Sequence, residues 1–462
     1  VTQRARVVTR VGSHPPEFPP SRKDPRPMDS NSQNDPLPTR DPVVGPSKPR
    51  LFGFLGAGLI TGASDDDPSG IATYSQAGAA FGYGLSWTLL FSYPLMVAIQ
   101  MISARIGRTT GHGIAGVLRR HYPDWLLQWV VVLLLIANII NLGADLGAMA
   151  DAMALLLPGP KWLYVLLFSA ICIAMQLLLQ YTRYVAVLKW FTLSLFAYFA
   201  VLAIAHIEWA RLASHLFVPH LSWTSSYLTL VVAIFGTTIS PYLFFWQSEE
   251  EVEDMHAHPT RRDLFSAPAQ APTALHRIEM DTVTGMGLSN LVALAILATT
   301  AATLNAGGIT DIQTSAQAAL ALRPIAGHFA ALLFTVGIVG TGLLAVPVLA
   351  GSAAYAVGEA RDWPVGFSRK VQEAKAFYAT IAIATLIGMV INFTSINAIK
   401  ALYWSAVLNG VIAVPVMIVM MLIASRTDIM GAFSVKGWLR ALGWLATIVM
   451  FVIAVGMVVT SF

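Results

Sequence analysis

Long runs of apolar residues, such as Trp125 to Ala137 and Trp162 to Leu179, recur along most of this chain. Hydrophobic residues make up 56% of it and charged ones 12%, against about a quarter charged in an ordinary soluble domain. A water-soluble fold has no interior large enough to hide so many runs of this length, whereas a bilayer is a solvent for them. The chain therefore reads as an all-α integral membrane protein. Its net charge of +4 is spread between the apolar runs and forms no single basic patch, so it reads as an orientation signal and nucleic acid is not an expected partner. The lone Cys172 lies inside an apolar run, where a packed thiol is expected and no intrachain disulfide can form.

Residues 1–48 differ from the rest. They are rich in Pro, Arg, Asp and Ser, carry no apolar periodicity, and are expected to be disordered. They hold no apolar h-region, so they do not read as a signal peptide, and Met28 is an alternative start. The remainder, 49–462, divides into segments of spanning length beginning near Leu51, Gly84, Trp125, Trp162, Val185, Ser226, Val283, Phe329, Ala376, Ala401 and Leu439, about eleven spans at roughly 20 residues each. Cations concentrate in alternate loops: Arg105, Arg108, Arg119 and Arg120; Arg183 and Lys189; Arg261, Arg262 and Arg277; Arg361, Arg369, Lys370 and Lys375; Arg426, Lys436 and Arg440. This bias places the N-terminus in the cytoplasm and the C-terminus outside, with a bacterial plasma membrane as the expected location. Trp125 and Trp162, at span starts, read as interfacial anchors. The one long connection, Glu249 to Asp281, opens on Glu249, Glu250, Glu251, Glu253 and Asp254, read as the solvated end of a helix. Its His256, His258 and His276 are too irregularly spaced to define a metal site.

Two interruptions carry the chemistry. The first span contains Ser64-Asp65-Asp66-Asp67-Pro68-Ser69-Gly70 amid apolar residues. A single ionised carboxylate near the bilayer centre costs about 2.5 to 3.5 kcal/mol on the lenient insertion scale, so three in a row need a partner. Pro68 removes a helix hydrogen bond and Gly70 loosens the backbone. Unwound backbone at membrane depth is tolerated where it is buried in protein or lines a wet cavity. The alternative, two short spans joined by an acidic loop, leaves flanking runs too short to cross. The sixth span breaks likewise at Gly236-Thr237-Thr238-Ile239-Ser240-Pro241-Tyr242. Each break lies in the leading span of a set of five, and an odd repeat length inverts the second copy, so paired interruptions point to a transporter's central site. The repeats are expected at 49–210 and 222–425, with an extra helix over 437–462.

With these residues in view, the chain resembles the NRAMP family of divalent metal transporters, which have the LeuT-type 5+5 inverted-repeat fold. Where that family carries D-P-G-N, this sequence has Asp67-Pro68-Ser69-Gly70, and where it carries a motif like A-T-I-M-P-H-N, this sequence has Thr237-Thr238-Ile239-Ser240-Pro241-Tyr242-Leu243. An Asp-Leu pair of the third helix is matched by Asp145-Leu146, and the stretch from Leu408 to Gly431 resembles the tenth helix and its following loop. The resemblance implies Asp67 as principal metal ligand, with the carbonyl groups of Ser64 and Thr237, and Ser240 directly or through water. Gly70 replaces the family's Asn, Ser240 its Met and Tyr242 its His. Exchanging sulfur and imidazole for oxygen favours hard ions, Mg²⁺ or Mn²⁺, over Fe²⁺, as in the NRAMP-related magnesium transporters.

Asp65 and Asp66 are expected either to widen the negative field or to face a vestibule, and Asp145 either to act in transport or to bond Asn138 or Asn141. Asp281 and Asn290, opening the seventh span, and Asn409 could reach the pathway or serve as caps and interhelical bonds. Ala148 stands where the family has a second carboxylate, and Phe377 to Asn392 contains no Arg or His, so transport is expected to be weakly coupled or uncoupled to protons. The expected protein is a secondary-type transporter working by alternating access, with the ion as substrate and no prosthetic group. The rival is an amino-acid or organic-cation symporter on the same scaffold, whose substrate carboxylate three aspartates would repel. No nucleophile–base pair or His-x-x-x-His site suggests an enzyme.

Overall fold

The computed structural model describes residues 61–62, 64–178, 193–205, 207–258, 260–394 and 396–461. The expected tail over 1–48, the first-span start at Leu51 and the fifth-span start at Val185 with its flanking Arg183 and Lys189 lie outside them. The described residues are helical, with no strand among them: α1 Pro68–Phe81, α2 Ser86–Thr110, α3 Ile114–His121, α4 Asp124–Ala154, α5 Lys161–Leu178, α6 Ala197–Ile204, α7 Trp209–Phe217, α8 Ser225–Thr238, α9 Pro241–Ala257, α10 Ala271–Thr300, α11 Ala330–Arg361, α12 Lys375–Ile391, α13 Ala398–Ser425 and α14 Gly437–Ser461, with short helical pieces between them. Among these residues eight segments are long and apolar enough to cross a membrane, and Lys375–Ile391 is a shorter apolar helix.

The starts expected near Gly84, Trp125, Trp162, Ser226, Phe329, Ala376, Ala401 and Leu439 fall within three residues of observed helix starts, the widest gap being Ala401 against Ala398. The seventh span differs. Its helix begins at Ala271 rather than near Val283, because hydropathy marks the part of a helix that suits lipid and not the turns that project beyond it. The supposed long loop is thereby reduced to the short stretch between α9 and α10. The acidic run is also not a solvated end: Glu249 is 1% exposed and Glu251 0%. Arg277 of α10 pairs with Glu251 and Asp254, and Arg261 pairs with Asp254. Glu249 and Glu359 of α11 both lie against Gly113, where an added Cβ would meet each carboxyl group. Glu359 in turn accepts the Gly113 and Gly116 N–H groups at the start of α3, both at 2.8 Å.

Helix α4 is central, packing against α5, α11, α12 and α13, while α9 lies on α2 and α11 and α1 lies on α10 and α13. The faces turned away from these contacts are apolar: Trp129, Val132 and Ile136 of α4 and Ile448, Phe451, Val452 and Val455 of α14 are exposed, as lipid-facing sides must be. Trp125 and Trp162 are exposed at helix starts, and the Cys172 thiol is buried. Near α1, the turn over Gly82–Leu85 opens at Gly82 with φ 56°, a conformation that glycine adopts without strain.

The sixth-span break is held by a backbone-to-backbone crossing of α8 and α13. A Cβ added at Gly410 would stand 2.6 Å from the Val232 carbonyl oxygen, and one at Gly236 would stand 2.5 Å from the Gly410 nitrogen. Neither neighbour can rotate away, so Gly410→Ala is expected to cost about 1–3 kcal/mol through overpacking and to lower the thermal unfolding midpoint in detergent. Gly84→Ala, whose Cβ would meet nothing nearer than 3.9 Å, is expected to leave that midpoint unchanged or slightly raised. Equal melting of Gly410→Ala and the unmodified protein would refute the close crossing.

Candidate metal centre

The first break is local sequence chemistry. Residues 64 and 65 are helical, residue 66 bends, and Asp67 adopts an extended conformation (φ −68°, ψ 170°) as N-cap of α1, with Pro68 in the first helical turn. Asp at an N-cap accepts the otherwise unpaired amides of the helix start, and Pro at N1 gives up no bond that the helix would use. Asp67 Oδ1 accepts the Gly70 N–H at 2.7 Å and the Ser69 hydroxyl at 2.7 Å. Oδ2 accepts the Asn141 Nδ2–H of α4 at 3.1 Å and faces the Tyr242 hydroxyl at 3.4 Å. The carboxylate is 2% exposed, so these donors replace its hydration.

The second break mirrors the first. Helix α8 ends at Thr238, Ile239 and Ser240 leave helical geometry, and α9 starts at Pro241. Tyrosines tie the two breaks together in both directions. The Tyr242 hydroxyl lies 3.1 Å from the Ser64 carbonyl oxygen, and the Tyr74 hydroxyl of α1 lies 3.0 Å from the Thr237 hydroxyl of α8. Two helix C-terminal ends, whose carbonyl oxygens accept from side-chain hydroxyls, thus converge beside the Asp67 carboxylate, a combination that suits a cation.

The expected residues occupy different places around this point. Asp67, Ser64, Gly70 and Tyr242 meet directly. The Ser240 hydroxyl is 2.7 Å from each of the Gly236 and Thr237 carbonyl oxygens, so Ser240 and the Thr237 carbonyl engage each other across the end of α8. Asp65 and Asp66 are 1% and 4% exposed, which corrects the vestibule reading. Both turn to α10, where the Ser289 hydroxyl stands 2.7 Å from Asp65 Oδ2 and 3.3 Å from Asp66 Oδ1. Asp145 bonds neither Asn138 nor Asn141: Asn138 donates to the Leu349 carbonyl and the Ser352 hydroxyl, and Asn141 donates to Asp67. The hydrogen-bonded alternative for Asp145 therefore fails, because both amides are drawn to other acceptors. Asn290 donates to the Leu89 carbonyl at 3.0 Å, an interhelical bond, and Asp281 is buried within α10 rather than at its start. His256, His258 and His276 are exposed.

The surroundings are rich in acceptors and poor in donors. Asp65 Oδ1, Asn141 Oδ1, both Asp145 oxygens and both polar atoms of Asn409 are buried without hydrogen-bond partners. Buried polar groups without partners are rare in folded proteins. Arg108, the one buried basic side chain among the described residues, lies in the last turn of α2 and pairs its guanidinium with Gln270. Among the described residues no group of three or more His, Cys, Asp or Glu forms a ready-made metal cage, so a cation here would be held by one carboxylate, carbonyl oxygens, amides and its own water. Beyond the break, Ile71, Ala72 and Ser75 of α1 line a cleft of about 320 Å³ with Ala148, Phe334 and Ile338. Ser289 and Tyr74 were not singled out from sequence and had no readable signal; Asn141 was read as a partner of Asp145, whereas it donates to Asp67.

The family model described as natural resistance-associated macrophage protein-like, Nramp, matches residues 58–460. The chain is similar to the divalent metal cation transporter MntH of Klebsiella pneumoniae, 27% identical over 403 residues and covering 85% of this chain and 90% of that one. It is likewise similar to MntH of Burkholderia ambifaria, 27% identical over 417 residues and covering 86% and 87%. Among solved structures, the manganese transporter of Eremococcus coleocola superimposes with a TM-score of 0.69 at 16% identity, over 89% of this chain and 87% of that one. MhsT in complex with L-phenylalanine superimposes with a TM-score of 0.57 at 13% identity, over 89% and 98%. The fold is the LeuT-type inverted repeat with broken first and sixth helices.

Removing the hydroxyl that bridges the breaks should loosen them. Tyr242→Phe removes one hydrogen bond to the Ser64 carbonyl, at a cost of about 0.5–1.5 kcal/mol. Backbone hydrogen exchange over residues 61–70 is expected to speed up while exchange in α12 stays constant. Unchanged exchange at the break would show that this hydroxyl does not hold it.

Proposed function

The chain belongs to the Nramp family, and from that premise we propose that it carries divalent metal cations across a membrane by alternating access, favouring Mg²⁺ or Mn²⁺ over Fe²⁺. The observation that supports this reading best is the buried Asp67 carboxylate at the meeting point of two broken helices. The ion would bind Asp67 with the Ser64 carbonyl, and with the Thr237 carbonyl and Ser240 once their mutual hydrogen bond yields. The groups here that could ligate an ion are oxygens, those of the Asp67 carboxylate, the Ser64 carbonyl and the Ser69 and Tyr242 hydroxyls, a set suited to hard ions. Mg²⁺ dehydrates reluctantly and commonly keeps several waters. Each such water is a hydrogen-bond donor, which is what Asp65 Oδ1 and the Asp145 oxygens lack.

Alternating access follows from the two breaks. Half-helices joined by short unwound links can tilt about the site while the intact α4 stays fixed, opening it first to one side and then to the other. The N-terminus is assigned to the cytoplasm on the cation bias of the loops. Transport is weakly coupled or uncoupled to protons in this reading, because Ala148 and the Arg- and His-free α12 remove groups that would relay them.

In proteoliposomes, Mg²⁺ and Mn²⁺ uptake should compete, and Asp67→Ala should reduce both to the background of empty vesicles. Undiminished uptake by Asp67→Ala would sink the assigned site, and a flux of amino acids without one of metals would sink the function. Ser240→Met is expected to raise relative affinity for Mn²⁺ and Cd²⁺ by adding a soft ligand. Stoichiometric acidification of the lumen during metal uptake would refute weak coupling.

A further inference from the structure

The Asn141 side chain stands out among the groups around Asp67. It is fully buried, its Nδ2–H is 3.1 Å from Asp67 Oδ2, and its Oδ1 has no hydrogen-bond partner. An ionised carboxylate accepts and cannot donate, so the amide beside it must present its NH₂ group. That fixes the amide orientation and leaves the oxygen facing other surroundings without a donor. A buried amide oxygen left unpaired costs about 1–3 kcal/mol, and a folded chain keeps such a group where something else supplies the missing positive charge.

The opposite side of the carboxylate bears on the same point. Oδ1 of Asp67 is held by Gly70 and Ser69 of its own helix, and Gly70 has no side chain to offer an ion. A Cβ there would already stand 3.2 Å from the Asp65 carbonyl oxygen and 3.3 Å from the Tyr74 ring, so no larger side chain fits without displacement. An amide oxygen beside Asp67 is therefore not available from the broken helix. It is available from α4, a 31-residue uninterrupted helix, whose rigidity would hold the amide in place while the half-helices move. Neighbouring Asn138 cannot take this part, since its NH₂ is committed to α11.

Resting on the transport reading above, we propose that Asn141 is a substrate-binding and selectivity-determining residue: its NH₂ orients Asp67, and its oxygen contacts the divalent ion or one of the ion's waters. The site is then shared between a moving element, the first break, and a fixed one, α4.

The test uses the full-length protein in proteoliposomes, with Asn141→Leu and Asn141→Cys. Asn141→Leu keeps the volume and removes both polar atoms. Its KM for Mg²⁺ should rise about ten- to a hundredfold, the range seen when partners of metal ligands are lost, with the elution profile of the folded protein retained. Asn141→Cys brings a soft donor to the same place and should raise the Cd²⁺-over-Mg²⁺ preference in competition uptake. A residue that only positioned Asp67 would weaken all ions alike and leave this ratio unmoved, so an unmoved ratio overturns the proposal. Unchanged KM in folded Asn141→Leu also overturns it. If Asp67→Ala still abolishes uptake in that case, the transport reading survives; if Asp67→Ala has no effect, that reading fails instead.

Discussion

A carboxylate withdrawn from water must find donors, and at Asp67 three helices surround it with four. The start of its own helix supplies the Gly70 amide and the Ser69 hydroxyl, α4 supplies an amide, and the second broken helix supplies a tyrosine hydroxyl. Hydrogen bonds to a charged group are stronger than neutral ones, and losing one partner leaves a buried charge poorly compensated. The carboxylate thereby fixes where the first helix stops and restarts, how far α4 stands from it, and where α9 begins. Pro68 and Pro241 set the places at which the backbone can come apart; Asp67 decides that the two places meet.

Much of this architecture could be read from the sequence, and the reason is the bilayer. Lipid demands about 20 apolar residues per span, so span positions are written in one-dimensional hydropathy. The paired prolines with small and hydroxyl neighbours were readable for the same reason, since polar residues at that depth need a purpose. What projects beyond the membrane was not. The first turns of α10 and the acidic end of α9 have the composition of a loop, yet Arg277 and Arg261 neutralise one face and Glu249 is buried beside Glu359. Such pairings depend on which helix lies alongside, and composition carries no record of that. At the site, motif position identified Asp67, Ser64 and Tyr242 as neighbours. It did not reveal that Asp65 and Asp66 turn to Ser289, or that the Ser240 hydroxyl closes back on its own helix end. Those are choices of rotamer and facing element, fixed only when ten or so helices pack at once.

The two ends of the assembly are built differently, and the difference bears on how it could open. Around the far part of α1 the lining is small and apolar, with Ala72, Ala148 and Ile338 enclosing a cleft, and few polar bonds need break to widen it. At the other end, α9 is tied to α11 by Tyr355 on Glu253 at 2.7 Å and to α10 by the Arg277 ion pairs, while Glu359 ties α11 to α3 through the Gly113 and Gly116 amides. Gly107 lies so close to Ser248 that a Cβ would collide with its carbonyl oxygen. Separating that end would break several charged and tightly fitted contacts together, whereas the apolar end is held by packing.

Fold alone does not choose the cargo. MhsT, seen in complex with L-phenylalanine, has a backbone that superimposes on this one. The distinction lies in charge. An amino-acid carboxylate placed against a helix N-terminus needs that terminus free, and here it is capped by Asp67 itself. Asp65, Asp66 and Asp145 add further buried acid, and the buried basic residue Arg108 sits in the last turn of α2. A zwitterion entering this site would find its ammonium welcomed and its carboxylate opposed by the group that caps the helix. A small dication meets no such conflict: it can take Asp67 as a ligand without unwinding α1, because the Gly70 and Ser69 bonds occupy one carboxylate oxygen and leave the other turned toward α4 and the second break.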